Sequence, residues 1–224
     1  MPSIVLRDYQ LQLLADLRAA LKAHRRVCAV MPTGAGKGQT IGAIARGAAL
    51  KGRKVLVLAH RAELIEQLTG TVRAWGLEPD VIAPGHRLQG RQVAVGSVQT
   101  VARRLGQLSA PDLIIQDEAH HLVAGNVWGR IIEAWPDAHL IGKTATPERL
   151  DGKGLGGEAG GYFEALVLGP SAAWLVAGLA GQTQGLLLAR CQEQQGAGSR
   201  TPPADGRVRP GAGGARLRGS GRDR

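Results

Sequence analysis

The sequence predicts an α/β fold in which a parallel sheet carries helices on both faces. Short apolar runs alternate along the chain with stretches whose apolar residues recur at helical spacing. One run, KVLVLAH at 54–60, is continuously apolar, as expected of a strand covered on both faces. Ligands of such sheets lie at the carboxyl ends of the strands, so we expect the functional residues there.

The predicted elements follow from these patterns in chain order. Leu11, Leu14, Leu17 and Leu21 recur at helical spacing and predict an amphipathic helix over 6–21. Further helices are predicted over 39–50, 61–75, 98–105 and 126–135. Strands are predicted over 26–31, 54–60, 80–83, 92–97, 112–121 and 138–147, the last ending at a proline.

The composition divides the chain of 224 residues into a domain and a tail. Residues 1–178 are enough for one domain with a buried core. Residues 179–224 are rich in Gly, Pro and Arg and keep no apolar period, so we predict a disordered C-terminal tail. Such an arm could bind nucleic acid, and an out-of-frame end without a selected role is the alternative.

Charge, cysteine content and hydropathy bear on the partner and the cellular compartment of the protein. A net charge of +10 favours a polyanionic partner, although a GC-rich coding sequence would also enrich arginine. Cys28 and Cys191 stand in different contexts and make neither a disulfide framework nor a metal set. No apolar run approaches the roughly 20 residues that a membrane span needs. We therefore predict a cytoplasmic protein.

A glycine-rich stretch, PTGAGKG, follows the first predicted strand and opens a predicted helix. This is the setting of a phosphate-binding loop, in which glycines turn backbone N–H groups onto phosphate oxygens and Lys37 reaches the terminal phosphates. A tight turn without a ligand is the alternative. The predicted nucleotide-binding residues of the loop are Pro32, Thr33, Gly34, Ala35, Gly36, Lys37 and Gly38.

An acid pair ends the predicted strand LIIQDEAHH. Asp117 is placed to hold Mg²⁺ and Glu118 to orient or deprotonate a water molecule. His120 and His121 could instead suggest zinc, but no further Cys or His follows at ligand spacing.

Five motifs in order, MPTGAGK, AHRAELIEQ, GSVQT, DEAH and KTATPERLDG, resemble motifs I, Ia, Ib, II and III of superfamily 2 DEAD/DEAH-type helicases, especially bacterial and phage members. The resemblance covers roughly residues 4–178. It implies a RecA-like P-loop NTPase domain that uses ATP and Mg²⁺ and acts on nucleic acid. DNA is favoured over RNA as the partner, although the sequence does not decide between them.

The resemblance also implies roles for single residues. The catalytic residues would be Lys37, Asp117, Glu118 and His120, with Asp117 as the magnesium ligand. Adenine would be recognised by Gln10 with Arg7 nearby, and the nucleic-acid backbone by Arg61, Gln99 and Thr100. Coupling between the nucleotide and nucleic-acid sites would use Thr144 and Thr146.

The sequence departs from this family at two points. Gly38 stands where such loops carry the Ser or Thr that binds Mg²⁺, and Thr40 is about 200° further around the helix. No segment after Ala180 resembles motifs IV to VI of a second motor domain. We therefore expect weakened hydrolysis and a missing half, which a second domain or subunit could supply in trans. The alternatives are a catalytically incompetent ATP- and nucleic-acid-binding fragment of a decayed prophage gene, and a restriction-type translocase subunit.

Overall fold

The computed structural model describes residues 4–146, 148 and 152–171 and the backbone of 188–190. The described helices are α1 (Asp8–Ala23), α2 (Lys37–Ala49), α3 (Ala62–Ala74), α4 (Val98–Arg103) and α5 (Val127–Ala134). The described strands are β1 (Arg26–Val30), β2 (Val55–Ala59), β3 (Asp80–Ile82), β4 (Val93–Ser97), β5 (Leu113–Asp117), β6 (His139–Thr144), β7 (Ala165–Leu168) and β8 (Leu188–Arg190).

These strands form one sheet in the order β3-β4-β2-β5-β6-β1-β7-β8. All neighbours pair in parallel except β7 and β8, which are antiparallel. The strand β6 lies between β1 and β5, with Lys143 opposite Ala29 on one side and Asp117 on the other. The carboxyl ends of β1, β5 and β6 therefore meet at one edge of the sheet.

Helices cover both faces of the sheet, as the sequence predicted. On one face, α1, α2 and α3 contribute Leu17, Ile41 and Leu68 to a continuous core cluster with the sheet. On the other, α4 and α5 pack through residues such as Val101 and Ile131. Because every residue of β2 is buried between these layers, its sequence shows no polar alternation.

The sequence-based prediction and the structure differ at β7 and at Leu11. The prediction did not foresee β7, whose apolar run is only four residues long and follows a glycine-rich stretch. It also placed Leu11 on the buried face of the first helix, where the side chain is 52% exposed, because the face that packs on the sheet is centred on Leu13 and Leu17.

Of the predicted tail, only the backbone of β8 belongs to the described residues, and there the chain adds an antiparallel edge strand to the sheet. The rest of the tail lies outside the described residues, as does the stretch 172–178, so the boundary near residue 178 and the disorder beyond it stay predictions. No helix in the described part of the chain is long and apolar enough to cross a membrane.

Candidate functional site

The loop between β1 and α2 is shaped by two glycines with positive φ. Gly34 has φ 83° and Gly36 has φ 75°, a left-handed conformation that strains other residues. Gly36 is the residue before the first turn of α2, where no side chain caps the helix. The first backbone N–H groups of α2 therefore stay available, together with the positive end of its dipole, to an anion at the loop.

The side chain of Gln10, in α1, is hydrogen-bonded to this loop. Its side-chain Nε2 donates to the Ala35 carbonyl at 3.0 Å, and its Oε1 accepts from the Arg7 backbone N–H at 2.9 Å. The guanidinium of Arg7 in turn donates to the Tyr9 hydroxyl at 3.3 Å. The structure thus joins Arg7 and Gln10 to the loop, but one N–H of the Gln10 amide is already used there. Adenine recognition by this pair stays a prediction.

We predict that Gly36→Ala damages both the loop and the fold. A Cβ at this position would lie 2.4 Å from Gln10 Nε2, and the left-handed backbone alone costs an alanine about 1–2 kcal/mol. Unfolding in denaturant should show a loss of stability of that size, and nucleotide affinity should fall about tenfold because Gln10 must release Ala35. The matched control is Gly47→Ala, inside α2 with no atom within 4 Å, which should stabilise the protein. Equal stability of the two variants would contradict the prediction.

The acid pair lies at the end of β5, beside the loop. The ammonium of Lys37 is 3.6 Å from Glu118 Oε1, and His120 Nδ1 is 3.4 Å from Glu118 Oε2. Burial, reinforced by the neighbouring Glu118 charge, raises the pKa of Asp117 above its usual range. Asp117 Oδ1 is buried and has no hydrogen-bond partner in the described part of the chain. This oxygen is therefore available to a hydrogen-bond donor or a cation.

Glu118 has an unusual backbone. With φ 52° and ψ 53°, it is the only non-glycine residue with positive φ among those described. A left-handed glutamate costs about 1–2 kcal/mol, and such strain is concentrated at functional sites. The conformation turns the Glu118 side chain toward Lys37 and His120.

The end of β6 completes the cluster. The hydroxyl of Thr144 is fully buried and lies 3.0 Å from His120 Nδ1, and it also accepts from the Thr146 backbone N–H at 3.2 Å. Thr146 itself is exposed. Contacts therefore run without interruption from Lys37 through Glu118 and His120 to Thr144.

The residues predicted to contact nucleic acid are not members of this contact series. Arg61 precedes α3, is exposed and donates from Nε to His60 Nε2 at 3.1 Å. Gln99 is exposed at the start of α4, whereas the Thr100 hydroxyl is buried and accepts from the Ser97 hydroxyl at 3.0 Å. The geometry favours Arg61 and Gln99 for an external ligand. Thr100 instead donates its backbone N–H to the Ser97 hydroxyl, which caps α4.

Sequence reasoning missed two groups of residues at this edge. The first is Lys143, whose side chain is completely buried. The second is a ring cluster in which His121 lies 5.1 Å from His60 and 4.3 Å from His120 between ring centroids. Burial, then the neighbouring His120, lowers the pKa of His121, which favours its neutral form. A lysine within a predicted apolar strand was the available signal for the first.

The donor set does not fit a magnesium ion held by the loop. Asp117 Oδ1 is one available oxygen, but Gly38 has no side chain, and the Thr40 hydroxyl already donates to the Lys37 carbonyl at 2.8 Å. Among the described residues, no group of three or more His, Cys, Asp or Glu side chains is arranged to hold a metal. Any magnesium ion here would have to keep most of its water ligands.

A glycine-rich loop between a parallel strand and a helix, with an acid pair ending a nearby strand, is the arrangement found in RecA-like nucleotide-binding domains of the P-loop class. The family described as "Type III restriction enzyme, res subunit" matches residues 3–149. The chain belongs to this family, which is built on the first motor domain of superfamily 2 helicases and uses nucleotide.

Two curated proteins are similar in sequence. A "51.5 kDa protein" of Lactococcus phage (isolate 7-9) is 34% identical over 145 residues, which is 65% of this chain and 28% of the phage protein. The "DNA 3'-5' translocase XPB2" of Sulfurisphaera tokodaii is 33% identical over 153 residues, 67% of this chain and 33% of the translocase. The chain thus spans about a third or less of the length of these relatives.

Among solved structures, the Hef helicase domain of Pyrococcus furiosus is 27% identical, with a TM-score of 0.51 over 64% of this chain and 35% of that one. This likeness confirms the RecA-like helicase fold that the five motifs implied.

Proposed function

We propose that this chain binds ATP at the loop and acts as a motor domain of a DNA helicase or translocase. The observation that carries the proposal is the contact series Lys37, Glu118, His120, Thr144, in which the loop, the acid pair and the end of β6 form one cluster. A nucleotide at the loop would contact its first member, and any change there would reach the last.

In this proposal the residues of the chain divide the work of hydrolysis. Lys37 leaves Glu118 to bind the terminal phosphates, and Glu118 then becomes free to orient a water molecule and accept its proton. His120 binds the second carboxylate oxygen of Glu118. Its contact with the Thr144 hydroxyl links the position of Glu118 to the end of β6.

DNA is the proposed partner because one relative is named a DNA translocase and because the chain is strongly basic. Arg61 and Gln99 are the proposed contacts to its backbone, and Thr144 and Thr146 the proposed coupling residues. Whether a second motor domain or subunit completes the cleft, and whether the protein is cytoplasmic, stay predictions from the sequence.

The experiment that tests this function is DNA-stimulated ATP hydrolysis by the purified chain with magnesium present. We expect duplex DNA to raise the rate at least fivefold over the rate without DNA. A second candidate function, an ATP- and DNA-binding protein without turnover, is favoured by Gly38, since the loop lacks a hydroxyl for the metal. Binding of both ligands with no hydrolysis would decide for this second candidate.

We predict that Arg61→Ala weakens DNA binding about tenfold at low salt. The reason is the loss of one phosphate contact, which should also reduce the slope of log affinity against log salt by about 1. Fluorescence anisotropy with labelled duplex DNA measures both quantities. The matched control is Arg18→Ala, another exposed arginine, on α1. A salt slope unchanged from that of the parent chain would exclude Arg61 from the interface.

A further inference from the structure

The unusual feature at this site is Lys143, a lysine with no exposed surface. It stands one residue before the end of β6, between Ala29 of β1 and Asp117 of β5. Its ammonium reaches beneath the first turn of α2, where it donates to the Thr40 hydroxyl and to the Lys37 carbonyl, the latter at 3.3 Å. Lysine is rarely buried completely without a partner of opposite charge.

No carboxylate forms an ion pair with Lys143 in the described part of the chain. Burial lowers the pKa of Lys143 to about 7, with the Lys37 charge acting in the same direction and the Asp117 charge in the opposite one.

Two independent features thus alter the place where a loop-bound magnesium ion would be held. Gly38 removes the hydroxyl ligand, and Lys143 engages the nearby hydroxyl of Thr40. The Lys37 ammonium is paired with Glu118 at 3.6 Å, and Lys143 stands opposite Asp117 in the sheet. A metal ion would therefore approach two ammonium groups, which repel it, whereas a metal-free nucleotide would be attracted by both.

We propose that Lys143 serves as the built-in cation of this site, so that the loop binds nucleoside triphosphate without a divalent metal. The inference rests on the proposed nucleotide site and specifies the form of ligand that it takes. In this proposal Gly38 and Lys143 have complementary roles. Gly38 lacks the hydroxyl that would bind the metal, and Lys143 supplies positive charge beneath the loop.

The test is the affinity of the full chain for ATP, measured by calorimetry in EDTA and in excess magnesium. We expect the two Kd values to agree within about threefold. In Lys143→Met, where an apolar chain of similar length fills the same space, we expect ATP affinity in EDTA to fall at least tenfold and the affinity in magnesium to fall much less. Circular dichroism checks that this variant is folded. Lys51→Met, an exposed lysine just beyond α2, should keep the parent ratio.

A second variant tests the same proposal by adding a hydroxyl ligand for magnesium. Gly38→Thr restores the hydroxyl, and its Cβ would meet only the Thr71 hydroxyl oxygen, at an ordinary 3.6 Å. We expect this variant to favour magnesium at least threefold more than the parent chain does.

Three outcomes would overturn the inference while leaving the nucleotide site standing. They are tenfold tighter binding of the parent chain with magnesium, an unchanged ratio in both variants, and an equal loss of affinity in both conditions for Lys143→Met, which would make Lys143 only a support of the loop. Failure of the parent chain to bind ATP in either condition would instead overturn the proposed function together with this inference.

Discussion

Lys37→Ala is expected to reduce the affinity of the chain for ATP about 100-fold. The Lys37 side chain is mostly buried at the start of α2, and its ammonium is the one that can move from Glu118 onto a phosphate, 3.6 Å being a loose ion pair. A charge-assisted hydrogen bond to phosphate in such a place contributes roughly 2–3 kcal/mol, which corresponds to about that factor. Calorimetric titration with ATP measures it directly.

The control for this variant is Lys51→Ala, which removes an exposed ammonium just past the opposite end of α2. It changes the net charge equally and should leave the affinity within twofold of the parent value. If Lys37→Ala were also to stay within threefold, the loop would not be the phosphate site, and the nucleotide proposal would fail with it.

The sequence was sufficient to predict six strands of the sheet, β1 to β6, and the cluster at their carboxyl ends, for a simple physical reason. Parallel strands that are buried on both faces leave continuous apolar runs, and their carboxyl ends meet, so the sequence alone predicts Lys37, Asp117 and Thr144 near one another. The structure confirms the RecA-like fold. It also brings these residues to one edge of the sheet, whereas their roles stay proposals.

What the sequence could not predict depends on contacts between distant positions. Lys143 and Thr40 are 103 residues apart, and no local pattern indicates that a strand lysine will reach beneath a helix. The Gln10 amide similarly meets Ala35 from another helix. The left-handed backbone of Glu118 has no signal in the residue type, because glutamate has no preference for that conformation. These three features are set by packing, and each lies at the loop or beside it.

Glu118→Gln is expected to lower the rate of ATP hydrolysis about 10³-fold while ATP affinity stays within threefold of the parent value. The amide keeps the size of the side chain but cannot accept a proton from water, and loss of a general base costs roughly 10² to 10⁴ in rate. Affinity should be retained because Lys37, no longer paired with a carboxylate, is freer to bind phosphate. Single-turnover hydrolysis and a separate binding titration distinguish the two effects.

The backbone of Glu118 allows a sharper control than the substitution of an exposed glutamate elsewhere in the chain would. Glu118→Gly removes both the carboxylate and the strain of φ 52°, so it should lose hydrolysis to the same extent while gaining up to about 1 kcal/mol in the free energy of unfolding. Lower activity together with higher stability is the pattern expected where strain is stored for function. Loss of stability in Glu118→Gly would show that the strained glutamate supports the fold. Hydrolysis surviving in Glu118→Gln would show that Glu118 does not act on the water.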